Sequence, residues 1–482
     1  MSCQCRHRRA RGSSSLAASG FIGTAVCRAL AARHEVVALT RSPARARPPD
    51  PEGHIAWRQC DLFSARAVAA SLEGADYAIY LVHSLAPSSR LTQARPRDMD
   101  LILADNFALA AAANGVRQIL FVGGVIPDGF QISPLLWNRR DVELILASRG
   151  TPVTTLRAGL VVGPGGSAPR LLVDLVRRLP LLALPPQAGS VTRPIALDDL
   201  VRALLHCLGQ PETCRGAFDI GGPESLSYET MLRQTAEVLG VRRRFLRLPY
   251  LPLPYLPLWL AALTARLIGG APAALVGPVV ESLPRDIRMR DNPVQRAIDP
   301  DSRPFRAALA AALDPRSGRL RPNPRQPLRE EDRHRLREAS RVRSIQRILL
   351  PPGQDAHWVA GNYFRWLGAC CWPFIETELD ADGRCEVRLR FPRVTLLSLQ
   401  RLDAESTPDR QIHLIVGGLL SRTRGPNQAR FEFHTLLGGR YTMAAIHDYQ
   451  PSLPWFLYRV TRAVLHLLAM RRYQARLARL AR

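Results

Sequence analysis

Ala17-Ala18-Ser19-Gly20-Phe21-Ile22-Gly23 is the stretch on which the reading turns, because it runs straight into a helical segment. Glycines at such a junction let the backbone bend tightly and come close to an anionic group. Unpaired N–H groups and the helix dipole favour negative charge at that helix start. A glycine cluster alone is a weak signal, and its surroundings strengthen it. His34–Thr40, Tyr77–Val82 and Gln118–Val122 are continuous apolar runs of strand length. That texture suits parallel strands buried on both faces. Met99–Asn114 reads as a helix closed by Gly115, and the run Val153–Val162 follows a helical 138–149. Repeated β-α-β of this kind predicts an α/β fold with a doubly wound parallel sheet.

Arg41 ends the strand after the glycine turn, about twenty residues on, where an acidic residue would bind ribose hydroxyls. A guanidinium there suits a 2′-phosphate, so the expected cofactor is NADP, with NAD less favoured. The plain alternative for Arg41 is a surface arginine, since all 66 basic residues are arginine. The absence of lysine excludes Schiff-base chemistry and a phosphate-loop lysine. The formal charge of +25 is spread along the whole chain without a nucleic-acid motif, so no nucleic-acid partner is expected. Apolar residues at 46% and charged residues at 22% are globular composition, and 482 residues suit two or three domains.

Cysteines at 3, 5, 27, 60, 207, 214, 370, 371 and 385 show no paired metal-ligand spacing. No metal is expected, and the thiols fit a reducing, cytoplasmic setting. Residues 1–16 are basic and lack the apolar core of a secretory signal. The apolar stretch 248–265 carries Pro249, Pro252, Pro254 and Pro257, which spoil a spanning helix and leave a loop with a short buried helix.

Downstream, 166–300 mixes helices at Leu200–Leu208 and Tyr228–Leu239 with a strand at Ala217–Ile220, a small lid region that completes a domain over 1–300. Residues 301–340, rich in Pro and Arg, read as a solvated linker. From 341 to 482 the texture becomes α+β. A helix is expected at Asp355–Leu367. An antiparallel sheet follows over 385–391, 394–401, 411–417, 429–436 and 440–447. A long C-terminal helix is expected near 454–478. That helix places Leu457, Val460, Val464 and Leu467 on one face, with Arg459, Arg462 and His466 on another. Such a basic helix packs on the sheet or lies on an anionic membrane surface, a peripheral contact.

The chain from Ser19 to about Leu239 resembles the extended or atypical short-chain dehydrogenase/reductases, especially the NmrA-like NAD(P)-binding branch. The resemblance rests on Ser19–Gly23, Cys60-Asp61-Leu62, Leu81-Val82-His83-Ser84, Asn106, Asn114–Arg117, Leu156–Gly159 and Gly163-Pro164-Gly165. Pro194–Leu200 and Phe218–Glu224 complete it. It implies a Rossmann fold in which Ser19, Gly20, Phe21, Ile22 and Gly23 hold the pyrophosphate. Asp61 and Leu62 would then lie by the adenine, and Val82, His83 and Ser84 by the nicotinamide. The chain after 341 resembles an uncharacterised domain that accompanies such reductase-like domains in bacteria and is similar to helix-grip, hydrophobic-ligand-binding folds.

Two departures qualify the resemblance. The apolar first strand ending in Thr-Gly is replaced by arginines and a serine run over 1–16, and the first motif glycine is Ala17. A buried central strand is not expected from that segment, and a misassigned start or shifted frame would produce it. The Tyr-x-x-x-Lys pair falls on Leu135 and Arg139, and Gly123-Gly124 fills the usual Ser/Thr turn. No catalytic residue is therefore assigned. Asp198-Asp199 is expected to cap a helix, and His447-Asp448 to sit in a turn. The leading expectation is an NADP-dependent oxidoreductase or epimerase-like protein acting on a small, partly apolar substrate. The alternative is a non-catalytic NAD(P)(H)-binding sensor or assembly protein, and a third role is hydrophobe carriage by 341–482.

Overall fold

The computed structural model describes residues 13–15, 20–41, 55–82, 91–127, 133–248, 286–323, 342–422, 429–452, 458 and 461–481. The chain separates into two units. One comprises Met1–Leu85 with Asn106–Leu328, the other Ala86–Asp105 with Arg329–Arg482.

Besides three small two-stranded pairs, the strands as far as residue 220 that build the two large sheets are β1 (Ser13–Ser15), β2 (Val36–Thr40), β3 (Ile55–Gln59), β4 (Tyr77–Tyr80), β5 (Leu91–Gln93), β6 (Gln118–Gly124), β7 (Val153–Ala158) and β8 (Ala217–Ile220). All but β5 form the first unit's sheet, in the order β8-β7-β6-β4-β1-β2-β3. Every pairing in it is parallel. The order reverses at β1, which creates the crevice at strand ends where doubly wound sheets take ligands. The presence of β1 corrects one expectation. Ser13–Ser15 pairs with β2 on one side and β4 on the other. The backbone ladder forms without an apolar run, because main-chain groups and not side chains make it.

Alternate residues of each strand face opposite layers. On one side Ile79 and Leu120 join Val26 and Leu30 of α1 (Phe21–Ala31) and Leu200 and Leu204 of a helix at Leu197–Cys207. On the other, Tyr80 lies 5.2 Å, ring to ring, from Phe107. The lid forms a separate core in which Val173, Tyr228 and Leu232 pack with Phe305 and Leu309. This too corrects an expectation. The segment read as a linker is helical over Phe305–Ala312, with Phe305, Ala308, Leu309 and Ala312 buried. Apolar residues at i, i+3, i+4 and i+7 outweigh the surrounding Pro and Arg. The expected loop and helix over 249–265 lie outside the described residues.

In the second unit, β9 (Val342–Leu349), β10 (Ile375–Leu379), β11 (Arg384–Leu389), β12 (Val394–Arg401), β13 (Arg410–Gly417), β14 (Arg430–Leu436) and β15 (Tyr441–Tyr449) pair in the order β10-β11-β12-β13-β14-β15-β9-β5. All contacts are antiparallel except β9 with β5. One helix spans Ala356–Cys370 and the last spans Arg462–Leu480. They share a core with Val387, Leu399, Phe431 and Phe433. The buried stripe of the last helix is Ala463, Met470, Tyr473 and Leu477, while Val464, Leu465 and Leu468 are exposed. The expected apolar face is corrected at Val464, which points outward, while Leu457, Arg459 and Val460 lie outside the described residues; Tyr473 Oη donates to the Val359 carbonyl at 3.1 Å.

Sequence texture alone places 86–105 in the first domain, and the structure corrects that as well. Its membership in the second unit follows from specific contacts. β5 pairs in register with Val342–Ser344, Gln346 Nε2 donates to the Gln93 carbonyl at 2.9 Å, and Arg347 Nε meets Asp98 Oδ1 at 2.8 Å.

Candidate functional site

The glycine turn lies where the crevice requires it. Gly20 is the exposed N-cap of α1, and the first helical bond runs from Thr24 N to Gly20 O at 3.1 Å. The N–H groups of 21–23 therefore precede the helical ladder. No side chain caps them and no acidic residue sits in the first turn. A pyrophosphate fits that arrangement, since nothing in it competes for the dipole. Phe21 and Ile22 pack their side chains against the core beside α1. A Cβ on Gly163 would first meet Leu197 Cβ at 2.7 Å and one on Gly166 would first meet Pro169 Cγ at 2.7 Å, with the Phe21 ring next at 3.3 and 3.1 Å. Phe21 and Ile22 thus commit their side chains to packing and leave their main-chain N–H groups at the helix start. Ser19, His83 and Ser84 lie outside the described residues.

Arg41 follows β2 and is exposed. Asp61 follows β3, and its Oδ1 accepts from Phe63 N at 3.2 Å. This short turn buries Leu62 and Phe63. Asn106 Nδ2 fastens it by donating to the carbonyls of Leu62 and Phe63 at 3.0 and 3.3 Å. Val82 is buried just beyond β4. Parallel strands thus bring Gly20, Arg41, Asp61, Leu62 and Val82 to one edge of the sheet. Cys60, beside Asp61, is no nucleophile: burial pushes its thiol up to about 11.

The helix at Pro134–Ala147 begins with Ser133 Oγ accepting from Leu136 N. It puts Leu135 and Arg139 where the resemblance would have the tyrosine and lysine. Arg139 is committed to main chain. Its Nη1 donates to the Val82 carbonyl at 3.0 Å, and its Nη2 donates to the Val122 carbonyl. Its Cζ stacks 4.6 Å above the Phe121 ring. The guanidinium joins the ends of β4 and β6, a role sequence reasoning missed. Gly124 has a steric explanation: a Cβ there would lie 2.7 Å from Leu136 Cδ2. A larger residue there requires the Leu136 side chain to shift.

Residues 17–160 match the NAD(P)H-binding family. Among curated proteins, a 139-residue stretch is 32% identical to "Auxiliary protein GraX" of Staphylococcus aureus, spanning 28% of this chain and 40% of that protein. A solved nucleoside-diphosphate-sugar epimerase of S. aureus matches at 17% identity and TM-score 0.49, over 62% of this chain and 99% of its own. The Citrobacter sp. triphenylmethane reductase complexed with NADP(H) matches at 14% identity and TM-score 0.48, over 63% and 100%.

The remaining expectations resolve as structural contacts. Asp198 and Asp199 make no cap. Asp199 instead accepts from Arg202 Nη2 and Arg303 N, both at 2.8 Å, while Asp198 meets Arg303 Nη1 at 3.0 Å. His447 is not in a turn but buried within β15, and Asp448 after it has φ 55°. Near it lies a buried charge cluster that the sequence did not disclose. His434 Nε2 meets Glu432 Oε2 at 2.7 Å, His434 Nδ1 meets Asp105 Oδ2 at 3.3 Å, and Arg410 Nη2 meets Glu432 at 3.1 Å. Burial works against a charged His434, but the two carboxylates prevail and hold its pKa above the usual histidine value. Among the described residues no group of His, Cys, Asp and Glu could hold a metal ion. None of their helices is long and apolar enough to cross a membrane.

Proposed function

We propose that the first unit binds NADP(H) and performs no tyrosine–lysine carbonyl chemistry, so that the chain acts as a dinucleotide-responsive auxiliary protein. The observation that carries this reading is Arg139. Its guanidinium is held by the Val82 and Val122 carbonyls. It stays protonated far above neutral pH, so it supplies charge but no proton. Leu135 supplies neither. When bound, the dinucleotide would bring a hydride and a nicotinamide ring to the strand ends. The chain's own residues hold its pyrophosphate at Gly20–Gly23, meet its 2′-phosphate at Arg41, and exclude water beside Leu62 and Val82. The name of the S. aureus relative, an auxiliary protein, accords with a supporting role.

The test is a pair of measurements on the full chain. NADPH should bind saturably in a calorimetric titration. NADPH oxidation across a panel of aldehydes, ketones and quinones should stay below the ordinary enzyme range, which begins near about 1 s⁻¹. Loss of a positioned acid–base group costs about a hundred- to ten-thousand-fold, which sets the expected deficit. Turnover above that threshold would overturn this reading. It would restore the oxidoreductase acting on a small, partly apolar substrate, with another group handling the proton.

A further inference from the structure

We infer that the second unit binds a small, neutral, mainly apolar molecule, one ring in size and bearing a single hydroxyl, in a cavity within its own core. This goes beyond the dinucleotide reading and does not depend on it.

The cavity measures about 130 Å³ and lies between the sheet and the two helices of the unit. Phe364 and Tyr363 line it from the first helix, and Val387, Leu399, Ile415 and Phe431 from the sheet. Protein interiors are close-packed, and voids well above the size of a water molecule are few. An apolar cavity of about 150 Å³ stays dry and accepts benzene. The volume here therefore matches one six-membered ring.

One part of the wall differs. Ser344 Oγ and His466 Nε2 lie 3.1 Å apart, and both residues line the cavity. His466 belongs to the last helix, and it keeps part of its surface accessible while neighbouring Ala463 and Met470 are buried. A hydroxyl on serine both donates and accepts, so the pair has capacity left for one ligand hydroxyl. Tyr449 also lines the cavity, but its Oη donates to the Leu420 carbonyl. Among the described residues no Arg, Asp or Glu is present in the lining. Burial pushes His466 down to about 4, so it is neutral at pH 7. A charged ligand would enter without a counter-charge, which low-dielectric surroundings penalise. Neutrality and a single hydroxyl follow from the same wall.

Calorimetric titration of the full chain at pH 7 with p-cresol, toluene and benzoate tests this. p-Cresol should bind saturably, toluene about tenfold more weakly, and benzoate not at all. His466→Leu should remove the tenfold preference by weakening p-cresol while leaving toluene within about twofold. That tenfold corresponds to about 1.4 kcal/mol. Leu399→Phe should abolish binding of both neutral probes. Because overpacking could unfold the unit, Ile415→Phe serves as the second filling variant, with the melt of each variant recorded. Absence of saturable p-cresol binding at millimolar concentration overturns the proposal. So does binding retained in a folded filling variant, toluene binding as tight as p-cresol, or benzoate binding at all.

Discussion

In the first unit the candidate site is an open edge of parallel strands, where the working groups are main-chain N–H donors at Gly20–Gly23 and side chains that mostly brace the strand ends. In the second it is a partly open cavity lined mainly by apolar and aromatic side chains, with the Ser344–His466 pair in its wall. The polar chemistry is distributed in the opposite sense. The second unit buries Glu432, Asp105 and His434 together, within hydrogen-bond reach of Arg410. The first keeps its described histidines, His34 and His206, half-buried and exposed. Backbone-built sites survive wide changes of side chain, whereas a cavity and a buried charge cluster hold only while every partner is present. That contrast sets the expected sizes of effect.

The sharpest way to break it is to remove the segment that the second unit takes from earlier in the chain. A fragment starting at Ser340 lacks β5, Asp98 and Asp105. His434 then loses one carboxylate and Arg347 loses its ion pair. Breaking a buried pair costs about 3–5 kcal/mol, a large share of a domain's stability. The fragment should aggregate or melt without cooperativity, and a peptide of residues 86–105 added in trans should restore a cooperative transition by circular dichroism. A cooperative melt of the fragment alone would show that 341–482 is self-sufficient.

Acid should separate the units next. His413, His447 and His466 are each held down to about 4, by burial first in every case, with Arg401 adding to it at His413. Glu432 near His447 works the other way, and Arg343, His434 and Arg430 reinforce the depression. Their unfolded value is about 6.5. Between there and 4 the unfolded chain takes up protons that the folded unit refuses, so stability is present above 6.5 and falls as the pH drops. His434 has the opposite sign: its pKa is raised, so its contribution is complete below 6.5 and is lost at higher pH. A tenfold difference in proton affinity between folded and unfolded chain is worth about 1.36 kcal/mol, so the second unit should lose at least about 3 kcal/mol by pH 4. Hydrogen exchange resolved by peptide should show β13–β15 opening before β4 and β6. Simultaneous opening would erase the contrast.

How legible each unit is in the sequence follows from the same difference. Parallel strands buried on both faces announce themselves as apolar runs, and Gln118–Val122 and Ala217–Ile220 mark β6 and β8 nearly to their ends. β1 escapes because a three-residue ladder between two strands needs only backbone, which composition does not report. In the second unit the five strands from 384 onward are visible by alternation, but β9 and β10 are not. β9 carries Arg343, Ser344, Gln346 and Arg347, and the last three of these find their partners in His466, Gln93 and Asp98. Pairing between segments so far apart in the chain leaves no local trace. The same holds for Arg139, whose carbonyl partners lie on two other segments, and for a cavity lined from three parts of the chain.

A smaller effect is expected in the first unit from Arg139→Met. The change removes two charge-assisted bonds to the carbonyls of Val82 and Val122 while keeping an unbranched side chain over Phe121. Bonds of this kind contribute about 1.5–3 kcal/mol each, but Arg139 is partly exposed and water replaces some of that. A net loss of about 2 kcal/mol should appear as faster exchange at β6 and the following helix, with the second unit unaffected. Arg139→Lys keeps one bond and should recover about half. Unchanged exchange in Arg139→Met would mean that the strand ends are held without it.

The smallest effect concerns affinity rather than folding, and it asks whether an exposed side chain adds anything to a site made of main chain. Arg41 stands at the end of β2, on the sheet edge that carries Gly20 and Asp61. A 2′-phosphate brought there gains a charge-assisted contact of about 1–3 kcal/mol, nearer the low end because solvent screens it. NADPH should therefore bind about tenfold more tightly than NADH, which lacks that phosphate, a difference of about 1.4 kcal/mol. Raising the ionic strength to about 0.5 M should narrow that gap, since exposed charges are then screened over less than about 10 Å. Arg41→Asp should reverse the order by placing a carboxylate against the phosphate and within reach of the ribose hydroxyls of NADH. Calorimetric titrations of both cofactors into the two proteins at low and high salt measure all of this. Equal affinity of the unmodified protein for NADPH and NADH would leave main-chain contacts as the whole of the site, with Arg41 a surface residue.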